Sequence, residues 1–175
     1  GSGADQSAAR AMYDACRAAV INFFDTAHVY TDGLSETWLG AMVRDEREAV
    51  YVASKVSSSG PADRETICAQ MGESRRRLGL DCIDAVYLHR WDAQTPLDET
   101  FDTLAELRDA GAFRDLGVSN YAAWQVMKAA GVAAKFGLRI TLLQPMYNLV
   151  KRQAEVELLP MALDQGIAVA PNSPQ

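Results

Sequence analysis

Apolar positions in this chain recur with two alternating periods. Residues 6–19 (QSAARAMYDACRAA) carry them at helical spacing, and the next apolar run, Ile21 to Thr26, is short and dense as a strand is. The alternation then repeats. Residues 35–44 read as a helix opened by Ser35 and Glu36, and 50–54 as a strand. An amphipathic helix is expected over 63–78, after the breaker Gly60-Pro61, and a strand over 83–88. Helical spacing returns at 97–110 and stops at Gly111, ahead of a strand from Phe113 to Val118. It returns again at 122–136, stops at Gly137, and gives way to a strand over 140–144. The last pair is a helix over 153–165, ending at Gly166, and a strand over 167–170.

Strands that are each preceded by a helix imply right-handed crossovers and a parallel sheet covered by helices. No linker-like segment interrupts the pattern, so residues 1–175 read as a single α/β domain. An open doubly wound sheet would carry a glycine-rich phosphate turn after its first strand, and Asp25-Thr26-Ala27-His28 carries none. The pattern therefore fits the (β/α)8 TIM-barrel type, incomplete at about six βα units, because a full barrel takes eight strands and about 250 residues.

Charge and cysteine content narrow the partners. The formal net charge is −6, with 17 Lys and Arg interspersed among 23 Asp and Glu. Nucleic acids and anionic membranes call for a basic patch, so neither is expected, and no apolar run is long enough to span a bilayer. The one short basic run, Arg75-Arg76-Arg77, reads as the exposed last turns of a helix, where cations suit the macrodipole. Cys16, Cys68 and Cys82 have neither paired nor metal-ligand spacing. Free thiols in a reducing, cytoplasmic compartment follow, and no metal. The first residues, Gly1 to Gln6, are polar, lack a Met and form no signal peptide, which reads as a processed, tagged or truncated end.

Chemistry enters at the strand ends. Parallel strands buried on both faces should be almost wholly apolar, yet these runs end in Asp25, Lys55, His89, Ser119-Asn120 and Gln144. All five ends lie at one mouth of the sheet, where such folds bind ligands. Alternation places Ile21, Phe23 and Asp25 on one face, and likewise Tyr51, Ala53 and Lys55, then Ala85, Tyr87 and His89. Each residue alone has a plain structural explanation: a loop anchor, a solvated lysine, a core histidine. Together they put a carboxylate, an ammonium and an imidazole in one pocket. Lys55 and Asp25 can pair. An ammonium stabilises a phenolate beside it, so a neighbouring phenol can donate its proton to a developing alkoxide at neutral pH. Tyr30, in the loop after Asp25, is the natural candidate. His89 can hydrogen-bond the same oxygen and orient a carbonyl. No side chain supplies hydride, so a nicotinamide must, and Ser119, Asn120 and Gln144 carry groups suited to its carboxamide.

In these motifs the chain resembles the aldo-keto reductases, and most closely the bacterial and potassium-channel β-subunit-like branch. Phe24-Asp25-Thr26-Ala27-His28-Val29-Tyr30, followed by Gly33-Leu34-Ser35-Glu36 and Leu39-Gly40, is similar to the family's D-T-A-x-x-Y region. Val52-Ala53-Ser54-Lys55 resembles its lysine strand, and Asp84-Ala85-Val86-Tyr87-Leu88-His89-Arg90 its histidine strand. Gly117-Val118-Ser119-Asn120 and Gln144-Pro145-Met146-Tyr147-Asn148 resemble its carboxamide-binding segments. The resemblance runs over nearly the whole chain, in the family's order. It implies a barrel that binds NADPH/NADP+ without a Rossmann domain and passes hydride to an aldehyde or ketone. Tyr30 would be the acid, Lys55 its tuner, Asp25 the partner of Lys55, and His89 the residue that orients the carbonyl. Ser119, Asn120, Gln144 and Ser173 would hold cofactor, and Trp91 would line the substrate pocket. His28 is expected to pack near its loop.

The chain also departs from the family. It starts at the first barrel helix and stops at the end of the seventh strand, so strands one and eight, and the loop that holds the adenosine 2′-phosphate, are expected to be absent. Strands two and seven would then be open edges that favour self-association. Asn172 stands where the family has an aromatic residue under the nicotinamide, Val20 where it has a turn glycine, and Ala112 where it has a lysine. Three readings follow: an NADPH-dependent carbonyl reductase, a cofactor-binding module with little turnover, or a partial barrel that is structural only. The substrate beyond a small carbonyl compound is not legible.

Overall fold

The alternation is realised as six parallel strands and six α-helices in a computed structural model that describes residues 5–58 and 60–173. In chain order they are α1 (Gln6–Ala18), β1 (Phe23–Asp25), α2 (Leu34–Val43), β2 (Tyr51–Val56), α3 (Arg64–Leu78) and β3 (Ile83–Leu88). There follow α4 (Leu97–Asp109), β4 (Phe113–Ser119), α5 (Ala123–Ala133), β5 (Ile140–Gln144), α6 (Leu158–Gln165) and β6 (Ala168–Val169). Strand order is β1-β2-β3-β4-β5-β6, every neighbour parallel.

Local chemistry explains where helices start. Asp5 caps α1 by accepting from the Ala8 amide at 2.8 Å, and Asp63 caps α3 by accepting from Thr66 at 2.9 Å. The last helix is shorter than its apolar spacing predicts. Residues 153–155 make a separate 3-10 turn, and α6 begins only at Leu158. Pro160 is the reason: with no amide hydrogen it is tolerated only in a first helical turn. The edge strands are shorter too. The left-handed Val20, at φ 64°, turns the chain late, and the ladder begins at Phe23 rather than Ile21.

The sheet is curled. Strands lie about 4.8 Å apart, so β1 and β5 would be about 19 Å apart in a flat sheet. Instead Gln144 Nε2 donates to Asp25 Oδ1 at 3.1 Å, and the Tyr51 hydroxyl of β2 reaches Asp115 of β4 at 2.7 Å. The concave side carries Phe23, Tyr51, Ala53, Ala85, Tyr87 and Leu142, as in the interior of an incomplete (β/α)8 barrel. On the convex side the outward residues Val52, Val86, Leu88, Leu116 and Val118 pack against apolar helix faces, including Ile67, Met71, Phe101 and Leu104. Tyr87 fits inside because Gly117 faces it: a Cβ there would lie 2.4 Å from the ring.

Among the described residues Cys16, Cys68 and Cys82 are unpaired, no helix is long and apolar enough to cross a membrane, and no His, Cys, Asp and Glu cluster could hold a metal ion.

Candidate active site

Parallel register raises the strand ends in steps around the curl. Asp25 aligns with Ala53, Lys55 with Tyr87, and Ser119 with Gln144. The residues at the C-terminal ends therefore converge on the concave mouth, and Asp25, Tyr30, Lys55 and His89 come together there.

Lys55 is the centre of the group and is fully buried. Its ammonium donates to Asp25 Oδ2 and, at 2.8 Å, to the backbone carbonyl of Thr26. A buried ammonium costs several kcal/mol unless its protons find acceptors, on the order of what one strong ion pair returns. A third face of Nζ is covered by the Tyr30 ring, whose centroid lies 4.7 Å away. Burial pushes the Asp25 carboxyl above its usual range, against the pull of Lys55 and of the Gln144 amide.

Tyr30 stands over this pair, half exposed, with its ring edge-on to His89 at 5.8 Å between centroids. Its loop is tightly built. Tyr30 N donates to Ala27 O at 3.0 Å, Thr26 and Ser35 hydroxyls meet at 2.7 Å, and Thr31, Asp32 and Gly33 all have positive φ. Burial, then the nearby Lys55 and Arg90 charges, hold the His89 imidazole down to about 4, so it is neutral at pH 7. Its Nδ1 is buried with no hydrogen-bond partner among the described residues.

Ser119, Asn120 and Gln144 form the opposite wall. Ser119 Oγ donates to Gln144 O at 3.0 Å, and Asn120 Nδ2 reaches His89 O at 3.0 Å and Ser119 Oγ at 3.1 Å. Asn120 is left-handed, at φ 58°, a conformation asparagine tolerates better than most residues. These bonds commit both Asn120 Nδ2 protons, and Gln144 Nε2 gives one of its two to Asp25. Asn120 Oδ1 and Gln144 Oε1 receive no protein donor among the described residues, and two such acceptors match the N–H groups of a primary carboxamide. The residues present thus fit the amide end of a nicotinamide. Asn172 pairs with Met146 beside the end of β5 and offers no ring face to stack on. Ser173 is further along; its carbonyl accepts from Asn148 at 2.9 Å.

Trp91 sits two residues beyond His89, in an aromatic cluster. Its ring packs edge-on to Tyr121 at 5.3 Å and Trp124 at 5.6 Å, and it lines a cavity of about 310 Å³ with Lys128 and Val132 rather than with the tetrad. His28 packs as expected, half-buried, with Nδ1 3.5 Å from Ser74 Oγ. The basic run needs correction. Arg76 is exposed, but Arg77 points inward, with 18% of its side chain exposed, and ion-pairs with the fully buried Glu36. The helix turns Arg77 towards the barrel one residue after Arg76 turns out, so a contiguous run does not mean a common face. The Thr26 carbonyl that accepts from Lys55 has no signal in the sequence, because backbone groups carry no residue signature.

The chain belongs to the aldo/keto reductase family, whose model matches residues 1–174. Among curated relatives it is 36% identical to a probable voltage-gated potassium channel subunit beta of Oryza sativa subsp. japonica, over 97% of this chain and 55% of the relative. It is 34% identical to aflatoxin B1 aldehyde reductase member 2 of Rattus norvegicus, over 89% of the chain and 44% of that protein. It is 33% identical to norsolorinic acid reductase B of Dothistroma septosporum, over 86% and 42%. The chain spans about half the length of these relatives.

Proposed function

We propose that this chain carries the proton-donating side of an NADPH-dependent reductase that converts an aldehyde or ketone to an alcohol. The observation that carries the reading is the buried Lys55 ammonium, held by Asp25 and covered by the Tyr30 ring. A bound reduced nicotinamide supplies the hydride. Tyr30 donates its hydroxyl proton to the carbonyl oxygen as charge develops there. Lys55 stabilises the phenolate that remains, and Asp25 keeps the ammonium in place. Neutral His89 orients the carbonyl. An unpartnered buried lone pair costs less than an unpartnered N–H, so the proton belongs on Nε2 rather than the buried Nδ1, and Nε2–H is a donor for the substrate oxygen. Ser119, Asn120 and Gln144 hold the carboxamide end of the cofactor, with Ser173 beyond them. Trp91, two residues after His89, borders the substrate side.

The names of several relatives as reductases support this reading. Loss of NADPH absorbance, followed with purified natural protein and a panel of aromatic and aliphatic aldehydes, tests it. Tyr30→Phe should lower kcat by about 100-fold or more, the usual worth of a positioned general acid, with NADPH affinity kept. Tyr30→Phe turning over at the wild-type rate would sink the assignment. A second reading, a cofactor-binding subunit with little turnover, is favoured by the relatives named as channel β subunits. Saturable NADPH binding without reduction of any aldehyde would select it.

A further inference from the structure

Tyr30 and Lys55 come from separate stretches of chain, a loop and a strand, and their ring-to-ammonium contact is too soft to fix their distance. One backbone bond, from His28 N to Lys55 O at 3.1 Å, ties the loop to the strand directly, and a polar network on the convex face of the sheet joins the two stretches as well. Glu36, in the first turn of α2, is fully buried. One of its carboxylate oxygens accepts from Ser54 Oγ at 2.6 Å, and the other from Arg77 Nη1 at 3.3 Å. Ser54 is the residue before Lys55 in β2. Arg77, in the last turn of α3, also donates from Nη1 to the His28 carbonyl at 2.8 Å, two residues ahead of Tyr30. Its Nε donates to Glu73 at 2.8 Å, which fixes the plane of the guanidinium.

The same guanidinium bears on the far side of the loop. A Cβ on Gly33 would lie 2.3 Å from Arg77 Cζ, and Gly33 has φ 88°. Tyr30 is therefore bracketed: Arg77 bonds the chain before it at the His28 carbonyl and packs against the chain after it at Gly33. Between them Thr31 and Asp32 sit at φ 53°, a conformation that costs about 1–3 kcal/mol per residue and persists only where the surroundings over-determine it. Stability alone does not account for such a pair, because a buried ion pair is often matched by apolar residues of similar volume. What apolar residues could not supply is directional attachment to a carbonyl, a carboxylate and a serine hydroxyl at once.

We propose that Glu36 and Arg77 are positioning residues that set Tyr30 against Lys55 from outside the barrel. The proposal rests on the reductase reading above and adds to it the device that aligns proton donor and ammonium. A displacement of about 1 Å in such a donor can cost about 100-fold in rate.

The experiment uses Arg77→Met, Arg77→Lys and Glu36→Gln in the full natural chain. Hydrogen exchange of the segment 27–33 and kinetics with NADPH and nitrobenzaldehyde are read side by side. Arg77→Met should speed exchange in 27–33 while the β3 and β4 amides stay protected. It should lower kcat about 10- to 100-fold with KM and NADPH affinity within about twofold. Arg77→Lys should recover part of kcat, since it keeps the charge and loses the fork. Where Arg77→Met does not fold, Arg77→Lys and Glu36→Gln carry the same readouts. Unchanged exchange, unchanged kcat, or a fall of kcat, KM and cofactor affinity together with the folded fraction would overturn the proposal. A wild-type protein that binds NADPH but reduces nothing would instead remove the reductase reading, and the positioning role with it, whatever the exchange shows.

Discussion

Val20 is 84% exposed and left-handed, at φ 64°, in the turn from α1 to β1. A β-branched residue pays about 1–2 kcal/mol for that conformation, and glycine does not. Part of the gain is lost to the greater freedom of glycine in the unfolded chain, so Val20→Gly should stabilise by about 0.5–1 kcal/mol. A urea midpoint that rises at unchanged slope is the expected result; a fall would contradict it. This strain was legible in the sequence, because Val20 stands where the family turns on glycine. His89 makes a prediction of the opposite sign. Its folded value is held to about 4 from an ordinary 6.5. The unfolded chain therefore takes up a proton as pH falls through about 6.5, and the folded chain resists until about 4. Stability contributed by neutral His89 is full above that window and is lost on acidification through it. Half-buried His28 is lowered as well, by burial, and adds in the same direction. Unfolding midpoints measured from about pH 7 down to about pH 5 should fall, and His89→Gln should flatten the slope. An equal slope in that variant would refute the assignment.

Between elements, one tight approach sets β4 against the Tyr87 side chain of β3. A Cβ at Gly117 would meet Tyr87 Cδ1 at 2.4 Å, Cε1 at 2.5 Å and Leu142 Cβ at 3.0 Å. Tyr87 is fully buried and has no room to swing away. Gly117→Ala should cost about 3 kcal/mol, at the upper end for overpacking, and adding Tyr87→Leu should return most of it; urea unfolding of the pair reads both. Element order and type were legible because apolar spacing changes period at each boundary. Boundaries were less so. Pro160 delays α6, and the edge strands shrink to the few residues that find ladder partners. The Arg75-Arg76-Arg77 run does not share one exposed face, because the direction of Arg77 depends on what packs beside α3, namely Glu36 and the His28 carbonyl.

At the scale of the whole molecule, protection should follow position in the sheet. All six residues of β3 are buried and it is paired on both sides, whereas β6 has two residues, one of them exposed. Native-state hydrogen exchange should be slowest in β3 and the second half of β4, and fastest in β6 and β1. Uniform protection across the strands would show that edge position does not govern opening in this fold.

The sequence by itself determined the alternation of strand and helix, the parallel sense of the sheet, and which residue stands at the end of each strand. Those are local facts of period and order, set by what each short segment can bury. Strand order and the family motifs together single out Asp25, Tyr30, Lys55, His89, Ser119, Asn120 and Gln144. Tertiary structure decided what those residues touch. The curl brings Gln144 to Asp25 across three intervening strands, register sets Lys55 under Tyr30, and Arg77 turns in to grip the Tyr30 loop from behind. Distances of that kind depend on how far a sheet bends and which helix face packs against it, and no stretch of chain encodes either alone.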